Sequence, residues 1–458
     1  MVMYKKILVY VVLTVGLAVI PALSQSIRLP RFIASGMVVQ RESSVPFWGW
    51  TTPGTTVEVS TSWSQEVVSA ITDSKGKFTV TLNTPVAGGP YSIRFSTAVS
   101  VVNLTDVLSG EVWLCSGQSN MKMRLGEAEA WRVQSDNNSN IRFFEVSVAR
   151  AATPQDTVKG GQWRYGVVPG NMQHISAVGY YFARRMQEKL NIPVGMIGSY
   201  EGGTNIEEWT DAALMSTMPE LLSAYTVPSA GREAGCLYNA MIHPLLPFKF
   251  AGIIWYQGEN NVSRIQHYEK NQLAMVTDWR TKFGSLLPFY FVQLTSFSSS
   301  WMEFREMQEK SARSMSNAGM VVTIDAGDPG NIHPIYKKPV GDRLADLALS
   351  KTYGQTSLSH SSPLFRKKVK EGKAMRVYFQ YADKGLKITS GEQPNLFEIA
   401  GSDGVFVSAN ARIEGNTVLV WSEKVPQPIS VRYFWKNYAT PNLFTTDGLP
   451  VAPFRSIN

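Results

Sequence analysis

The chain has 458 residues, a formal net charge of +8, and 44% hydrophobic against 17% charged residues. This length exceeds what one hydrophobic core usually serves, so the sequence predicts two or three domains. The lysines and arginines are scattered, which excludes the clustered basic stripe of a nucleic-acid-binding protein. Cys115 and Cys236 are too few for a disulfide scaffold or a cysteine-based zinc site; one disulfide and two separate buried thiols both remain open.

The first residues have the pattern of an export signal. Lys5 and Lys6 precede a charge-free apolar run over residues 7–20, and Pro21 and small residues follow. We therefore predict a cleaved signal peptide over residues 1–24 and a secreted or periplasmic mature protein. The run is shorter than the about 20 residues of a membrane span, so an uncleaved anchor is the alternative. No second long apolar run follows, and we expect no stable membrane insertion after cleavage.

Residues 25–105 predict a small antiparallel β-domain. Apolar and polar residues alternate over Val57–Ser60, Lys77–Leu82 and Tyr91–Phe95, and turn signals such as Pro53-Gly54 separate these runs. Such alternation is typical of strands that bury one face.

Residues 106–360 have a different pattern, in which buried strand-like runs alternate with helical periods. Helices are predicted behind a cap at Ser176, over about 264–282, and around 340–347. Buried strands that alternate with helices indicate a parallel sheet covered on both faces, with its active site at the carboxyl ends of the strands. The predicted strands are Val112–Cys115, Ile141–Val146, Val194–Ile197, Gly252–Tyr256, Phe289–Leu294 and Met320–Ile324.

Residues 361–458 return to short strands and predict a second β-domain. The turn Glu414-Gly415-Asn416 suits a hairpin. The sequence thus predicts an α/β core with a β-domain on each side. The predicted C-terminal strands are Arg376–Gln380, Asn395–Ile399, Val405–Val407, Thr417–Trp421 and Val431–Trp435.

The segment after the first core strand offers a hydroxyl at the edge of the sheet. Ser119 lies past the turn at Gly117, above a helix start whose free N–H groups can stabilise an oxyanion. Ser116 still belongs to the strand, where a structural role is more natural. A Gly-x-Ser sequence is by itself unspecific, but Ser119 is the better placed of the two serines to act as a nucleophile.

A serine nucleophile needs a base with a pKa near neutral, and the chain has five histidines. His333 follows a strand end and a loop that carries Asp325 and Asp328, so carboxylates are close enough to orient it. His243 shares the Ile-His-Pro context, but its apolar surroundings favour a structural role. Asp325, Asp328 and His333 together would also suit a metal ion, yet no second histidine–acid cluster supplies further ligands, so we expect no metal site.

Two further loops offer donors for an oxyanion. Gln257 ends a predicted strand, and its amide N–H is a suitable donor, although a polar strand cap explains it equally well. Gly202 and Gly203 follow another strand and can present a backbone N–H, although a tight turn alone also accounts for them.

Taken together, these residues resemble the SGNH-type carbohydrate esterases, specifically the sialate O-acetylesterase family. The resemblance spans nearly the whole mature chain. The matching motifs are Gly36-Met-Val-Val-Gln-Arg41, Val45-Pro-Phe-Trp-Gly-Trp50, Gly117-Gln-Ser-Asn-Met121, Gly202-Gly-Thr204, Trp255-Tyr-Gln-Gly-Glu259, Asp328 through Ile332-His-Pro334, Val431-Arg-Tyr-Phe-Trp435, Asn442-Leu443 and Gly448-Leu-Pro450.

The resemblance implies an SGNH-hydrolase-like, flavodoxin-like α/β core between β-sandwich-like N-terminal and C-terminal domains. It also implies Ser119 as nucleophile and His333 as base. The oxyanion hole would comprise the N–H of Ser119, the N–H of Gly203 or its neighbour Gly202, and the Gln257 side chain.

One position departs from the family pattern. Family members commonly carry an Asp three residues before the histidine, whereas this chain has Gly330 there. Asp328 is therefore the first candidate for the acid of the triad, and Asp325 is the second.

The expected function is that of an exported serine esterase that removes O-acetyl groups from a carbohydrate, foremost O-acetylated sialic acids. Its partner would be an acetylated sugar or sialoglycan, and no metal or organic cofactor is required. We expect Gln118, Asn205 and Glu259 to contact the substrate. An esterase for acetylated xylan or another polysaccharide is the alternative, and an inactive carbohydrate-binding protein is a third possibility.

Overall fold

The structure is a computed structural model that describes residues 26–128, 138–165 and 172–456. The predicted signal peptide over residues 1–24 lies outside these residues. Among the residues described, no helix is both long and apolar enough to cross a membrane.

The N-terminal region folds as two sheets whose strands pair antiparallel, except that Val38–Gln40 pairs parallel with residues 108–110. Phe95 lies between the sheets and contacts Phe47 of one strand and Phe78 of its neighbour. The alternating pattern of the sequence therefore produces one buried face on each sheet. The strands are β1 Val38–Gln40, β2 Ser44–Trp50, β3 Thr56–Thr61, β4 Ser64–Ile71, β5 Lys77–Asn83, β6 Gly88–Ser96 and β7 Val101–Gly117.

Strand β7 connects this region to the core. Its first half pairs antiparallel with β6, and its second half, from Glu111 to Gly117, lies between parallel strands of the core sheet. The strand runs without a break through the boundary predicted at residues 105–106.

The core contains the predicted alternation of strands and helices. Its strands are β8 Ile141–Glu145, β9 Trp163–Tyr165, β10 Val194–Tyr200, β11 Gly252–Tyr256, β12 Phe289–Val292 and β13 Ala318–Val321. Its α-helices are α1 Ser119–Lys122, α2 Ala177–Leu190, α3 Ile206–Trp209, α4 Ala212–Ser216, α5 Pro219–Ala224, α6 Ile265–Phe283, α7 Met302–Ser314 and α8 Lys338–Lys351. Short 3-10 helices cover Met172–His174, His243–Leu245, Glu259–Arg264 and Ile324–Ala326, and a π-helical turn covers Tyr238–Ile242.

The core sheet has the order β13-β12-β11-β7-β10-β8-β9, with every pair parallel except β8–β9. Without the β8–β9 extension, chain order across the sheet reads 2-1-3-4-5, which is the flavodoxin-like order. Connections leave β7 toward β10 and then cross back to β11. In such sheets, ligands bind outside the carboxyl ends of the two strands at this reversal, here β7 and β11.

Helices cover both faces of the core sheet. On one face, Trp113 of β7 contacts Phe182 of α2, and α2 packs against α8. On the other face, Trp255 of β11 contacts Trp279 of α6. The cap predicted at Ser176 is present, since its hydroxyl accepts a hydrogen bond from the Gly179 N–H at 3.0 Å.

The C-terminal region contains antiparallel sheets of order β14-β15-β20-β19 and β18-β17-β21-β23, with a β16–β22 ribbon beside them. Phe454 of the second sheet contacts Phe379 of the first, so aromatic side chains fill the space between the sheets. The strands are β14 Leu364–Glu371, β15 Ala374–Gln380, β16 Leu386–Ile388, β17 Phe397–Ala400, β18 Val407–Ser408, β19 Asn410–Glu414, β20 Thr417–Trp421, β21 Ser430–Tyr433, β22 Leu443–Thr445 and β23 Phe454–Arg455.

The predicted fold class is confirmed: an α/β core of this topology carries strand-rich regions before and after it. The hairpin predicted at Glu414-Gly415-Asn416 joins β19 to β20. Several strand ends differ by a few residues, as at β13, which ends at Val321 rather than Ile324. Cys115 and Cys236 are separate buried thiols, so the disulfide alternative is excluded.

A buried arginine joins the core to the C-terminal region. The Arg305 guanidinium on α7 donates to the carbonyls of Leu294 and Thr295 in the core and of Lys436 and Asn437 in the C-terminal region, at 2.8–3.0 Å. The side chain is fully buried, and burial lowers its pKa to about 9. Backbone oxygens rather than a carboxylate thus compensate the buried charge.

Replacement of Arg305 by lysine should destabilise the protein. An ammonium group offers its donors from one nitrogen and cannot reach carbonyls on both sides, and each unsatisfied buried acceptor costs about 1–3 kcal/mol. We expect the free energy of unfolding in urea to fall by about 3 kcal/mol. The exposed Arg366→Lys is the matched control, expected within about 0.5 kcal/mol of wild type. Equal urea midpoints for the two variants would contradict this role.

Candidate active site

The site begins where β7 ends against β11. Gly117 pairs with Tyr256, and its φ of +137° suits glycine. A Cβ atom at this position would lie 2.2 Å from the Tyr256 carbonyl oxygen, so no other residue fits without moving the strands. Immediately after this close approach the chain turns into α1, and Ser119 becomes its first residue.

The Ser119 hydroxyl lies against an imidazole from a distant part of the chain. Ser119 Oγ is 2.8 Å from His333 Nε2, although 214 positions separate the two residues. His333 lies on the loop between β13 and α8. Ser116, by contrast, is buried and donates to the Ser199 carbonyl at 2.6 Å, which is the structural role expected for it. The distance between Ser119 and His333 is that required for a base to take the proton of the hydroxyl.

Backbone contacts hold His333 in place. Its own N–H donates to Asn331 Oδ1 at 2.9 Å. Asn120, the neighbour of the serine, donates from Nδ2 to the carbonyl of Ile332, the neighbour of the histidine, at 3.1 Å. One side chain therefore ties the serine turn to the histidine loop.

Asn120 also belongs to a buried polar network. Its Nδ2 donates to Glu259 Oε1 at 2.6 Å, and its Oδ1 accepts from Lys337 Nζ at 2.5 Å. Burial lowers the pKa of Lys337 to about 7 and raises that of Glu259. Both shifts favour the neutral forms, which limits the cost of placing two ionisable groups behind the reacting pair. No role was predicted for Asn120 or Lys337, because asparagine and lysine have no distinctive spacing relative to a nucleophile or a base.

The two candidate acids of the triad bond to groups other than His333. Asp328 is exposed, and its Oδ1 accepts from the N–H groups of Gly330 and Asn331 at 2.8 and 3.1 Å. Asp325 forms a two-pronged ion pair with Arg343 at 2.6 and 2.7 Å. Neither carboxylate contacts His333 in this structure, so either one would have to leave its partners to orient the imidazole. The described residues contain no cluster of three potential metal ligands.

The predicted oxyanion donors occupy different surroundings. Ser119 presents its N–H at the start of α1, and Gly202 lies beside it, since an added Cβ would be 3.3 Å from Ser119 Cβ. At Gly203, by contrast, an added Cβ would meet nothing within 4 Å. The Gln257 amide is fully buried and donates to the Thr204 carbonyl at 3.0 Å and to Asn261 at 2.8 Å. Its predicted role would require it to release one of these bonds.

The three predicted substrate contacts point into the protein instead. Gln118 Oε1 accepts from the Gly258 N–H at 3.3 Å, and Asn205 Oδ1 accepts from Arg264 at 2.8 Å. Glu259 accepts from Asn120 within the buried network. These bonds tie each residue to the loops around Ser119, and none of the three is among the residues that line the open cleft.

The open cleft in front of the pair has a volume of about 540 Å³. Burial lowers the pKa of His333 below its ordinary value of 6.5, and the Lys337 charge adds to this effect, while the Glu127 carboxylate opposes it. The imidazole is therefore neutral and able to accept a proton over a wider pH range. Residues lining the cleft are Ser119, Lys122, Met123, Arg124, Glu127, Asn331 and His333.

The other histidine with the Ile-His-Pro context has a structural contact. His243 Nδ1 lies 2.9 Å from the Gln155 carbonyl oxygen, away from Ser119. This is the role that its sequence context favoured.

A hydroxyl–imidazole pair at the reversal of a doubly wound α/β sheet is the arrangement of hydrolases that act on esters and amides. Residues 109–350 match the family model of carbohydrate esterases described as sialic acid-specific acetylesterases. The human sialate O-acetylesterase is 32% identical over 382 residues, covering 74% of this chain and 73% of that protein, and the mouse protein is 31% identical over 411 residues, covering 74% and 76%. The crystal structure of a carbohydrate acetylesterase from Xanthomonas citri superposes with a TM-score of 0.87 at 35% identity, covering 94% of this chain and 100% of that one.

The chain therefore belongs to the sialic acid-specific acetylesterase family of carbohydrate esterases. It is an esterase, as its sequence predicted, and the alternative of an inactive binding protein is set aside.

Replacement of Asn120 by alanine should slow the chemical step. Without its amide, the histidine loop loses its link to the serine turn, and a displacement of about 1 Å can cost about 100-fold in rate. We expect kcat to fall about 10-fold to 100-fold while KM changes less than about 3-fold. The measurement is steady-state hydrolysis of p-nitrophenyl acetate, normalised to folded protein. Asn260→Ala, at an exposed position nearby, is the control; a matching loss of kcat there would contradict the linking role of Asn120.

Replacement of Glu127 by glutamine should shift the pH dependence. The carboxylate stabilises the imidazolium and raises the pKa of His333, so its removal lowers that pKa. The acid limb of the kcat/KM profile should then move to lower pH, with little change in the plateau at alkaline pH. A shift toward higher pH, or an unchanged limb, would show that Glu127 does not act on His333.

Proposed function

We propose that the protein removes O-acetyl groups from sugars through an acyl-enzyme formed on Ser119. His333 takes the proton of the hydroxyl as the oxygen attacks the acetyl carbonyl carbon. When the tetrahedral intermediate collapses, the sugar oxygen leaves with that proton and the acetyl group stays on Ser119. A water molecule then attacks the ester with His333 again as base, releasing acetate. The observation that carries this proposal is the 2.8 Å distance from Ser119 Oγ to His333 Nε2.

The oxyanion is stabilised by backbone donors at the same turn. The N–H of Ser119 lies at the start of α1, where N–H groups have no helical acceptor, and Gly202 lies beside the serine. Each well-aimed donor contributes about 3 kcal/mol to the transition state. This arrangement works with a Ser–His pair, and Asp328 remains the candidate acid should its loop rearrange on substrate binding.

The proposed substrates are O-acetylated sialic acids. The family model and the mammalian relatives, named sialate O-acetylesterases, support this choice. The open cleft, with Lys122 and Arg124 at its wall, is compatible with an acidic sugar.

We also propose that the protein is exported, on the basis of the signal-like residues 1–24. Sequencing the N-terminus of protein recovered outside the cytoplasm should find a start near Gln25. A full-length N-terminus there would favour the anchored alternative.

Replacement of Ser119 by alanine should abolish acetate release, because no other hydroxyl among the described residues hydrogen-bonds to His333. Its circular dichroism should match that of wild type. Ser116→Ala is the matched control: it should keep kcat within about 3-fold and lose about 1 kcal/mol of stability from one buried hydrogen bond. Wild-type turnover of p-nitrophenyl acetate by Ser119→Ala would end the assignment.

The substrate is tested separately by acetate release from an O-acetylated sialoglycoprotein and from acetylated xylan. We expect kcat/KM to be higher on the sialoglycoprotein. A higher kcat/KM on acetylated xylan would contradict the proposed sialic acid substrate but not the esterase mechanism.

A further inference from the structure

A second cleft adjoins the one that contains the reacting pair. It has a volume of about 670 Å³ and shares Lys122 and Arg124 with the first. From this shared wall it extends to Arg164 on β9 and Glu145 at the end of β8. We call this second cleft the basic groove. A ligand held at Ser119 can therefore continue into the groove without crossing a barrier of protein.

The charges of the basic groove are only partly balanced. Lys122 already pairs with Glu201 at 2.6 Å. Among the described residues, neither Arg124 nor Arg164 has an ion pair within 4.0 Å or a side-chain hydrogen bond to protein. Arginines in most of this chain are paired, as Arg343 is with Asp325. Two guanidinium groups beside the active site are thus left with donors to offer to a ligand.

Glu145 is the carboxylate that faces these cations. Burial raises its pKa, whereas the charges of Arg124, Arg164 and Lys122 lower it in part. It forms no ion pair with them at 4.0 Å or less among the described residues. Because Glu145 is partly desolvated and does not pair with the cations, it does not neutralise them. The basic groove therefore has a net positive charge.

The chemistry of the groove favours an acidic saccharide. A guanidinium group binds a carboxylate through two parallel hydrogen bonds, which fixes both position and orientation. Ser147 and Gln162, which also line the groove, suit sugar hydroxyls because their side chains both donate and accept hydrogen bonds. Charged and neutral polar groups on one wall match a sugar ring that carries one carboxylate.

We propose that the basic groove binds the carboxylate of the saccharide whose acetyl ester is cleaved, with Arg164 and Arg124 as its donors. This inference rests on the proposed function and specifies which part of the substrate the protein selects. Sialic acids and hexuronic acids share the required chemistry, namely a carboxylate on the sugar ring.

The test compares esters that differ in charge. The wild type and Arg164→Gln are assayed with an O-acetylated sialoside, an O-acetylated methyl hexuronoside, an O-acetylated methyl hexoside and p-nitrophenyl acetate. We expect kcat/KM to fall about 10-fold to 100-fold on the acidic sugar that the groove fits, as for loss of a charged hydrogen bond. The neutral ester and p-nitrophenyl acetate should change less than about 2-fold. The acidic substrate on which kcat/KM falls identifies the sugar that the groove binds.

Three controls make the outcome specific. Arg164→Lys keeps the positive charge but not the two parallel N–H donors of the guanidinium group, so the loss of kcat/KM on the acidic sugar should be intermediate. If Arg164→Gln folds poorly, Arg124→Gln, which also changes the wall of the catalytic cleft, should lower kcat/KM by a larger factor on the acidic sugar than on the neutral ester. Arg94→Gln, on an exposed strand of the N-terminal region, should leave all rates unchanged.

Two results would overturn the groove assignment: equal losses on neutral and acidic esters, or wild-type activity on the neutral hexoside that equals or exceeds that on both acidic ones. Either would leave the Ser119 mechanism standing, because p-nitrophenyl acetate reports on that chemistry alone. Wild-type turnover by Ser119→Ala is the distinct result that would remove the mechanism itself.

Discussion

The contact between Ser119 and His333 depends on the Asn120 side chain, which bonds to both loops of the site. The serine is fixed by a strand–helix turn, whereas the histidine lies on a loop with half-exposed surroundings. A 2.8 Å hydrogen bond between them needs the loop to be held from behind. Asn120 does this because its amide both donates to the Ile332 carbonyl and accepts from Lys337.

The sheet topology explains why this turn has room for chemistry. The connections reverse between β7 and β11, and at such a reversal a crevice forms outside the carboxyl ends of the strands. Gly117 allows the two backbones to approach closely at that point. Behind the site, the polar groups of Gln257, Asn261 and Glu259 support the loops, and the hydrogen bonds among buried groups offset much of the cost of their desolvation.

Much of the fold could be predicted from the sequence, because strands and helices of the core have strong apolar periods. Helix α7 was missed for a physical reason: its buried face carries Arg305, Gln308 and Ser311, which bond to backbone or side chains instead of forming an apolar stripe. The short strand β9 was also missed, since three residues are too few to show alternation.

Residues of the candidate site were predictable where the chemistry requires one residue type, as for the nucleophile and its base. They were not predictable where the surrounding structure decides which partner a side chain bonds to. The expected contact between Ser119 and His333 is present. It could be predicted because few of the histidines follow the end of a predicted strand. The partners of Asp328, Asp325 and Gln257 were not predictable, since each has local donors or acceptors that compete for its side chain. Sequence separation also hid Arg124 and Arg164, which share a groove only through the fold.

Chemical trapping of the nucleophile tests the central claim most directly. A p-nitrophenyl phosphonate should inactivate the protein with one adduct per chain, and peptide mass spectrometry should place that adduct on Ser119. The rate of trapping should fall sharply in His333→Ala, because the hydroxyl then lacks its base. An adduct on a different residue, or full inactivation with Ser119 unmodified, would contradict the account.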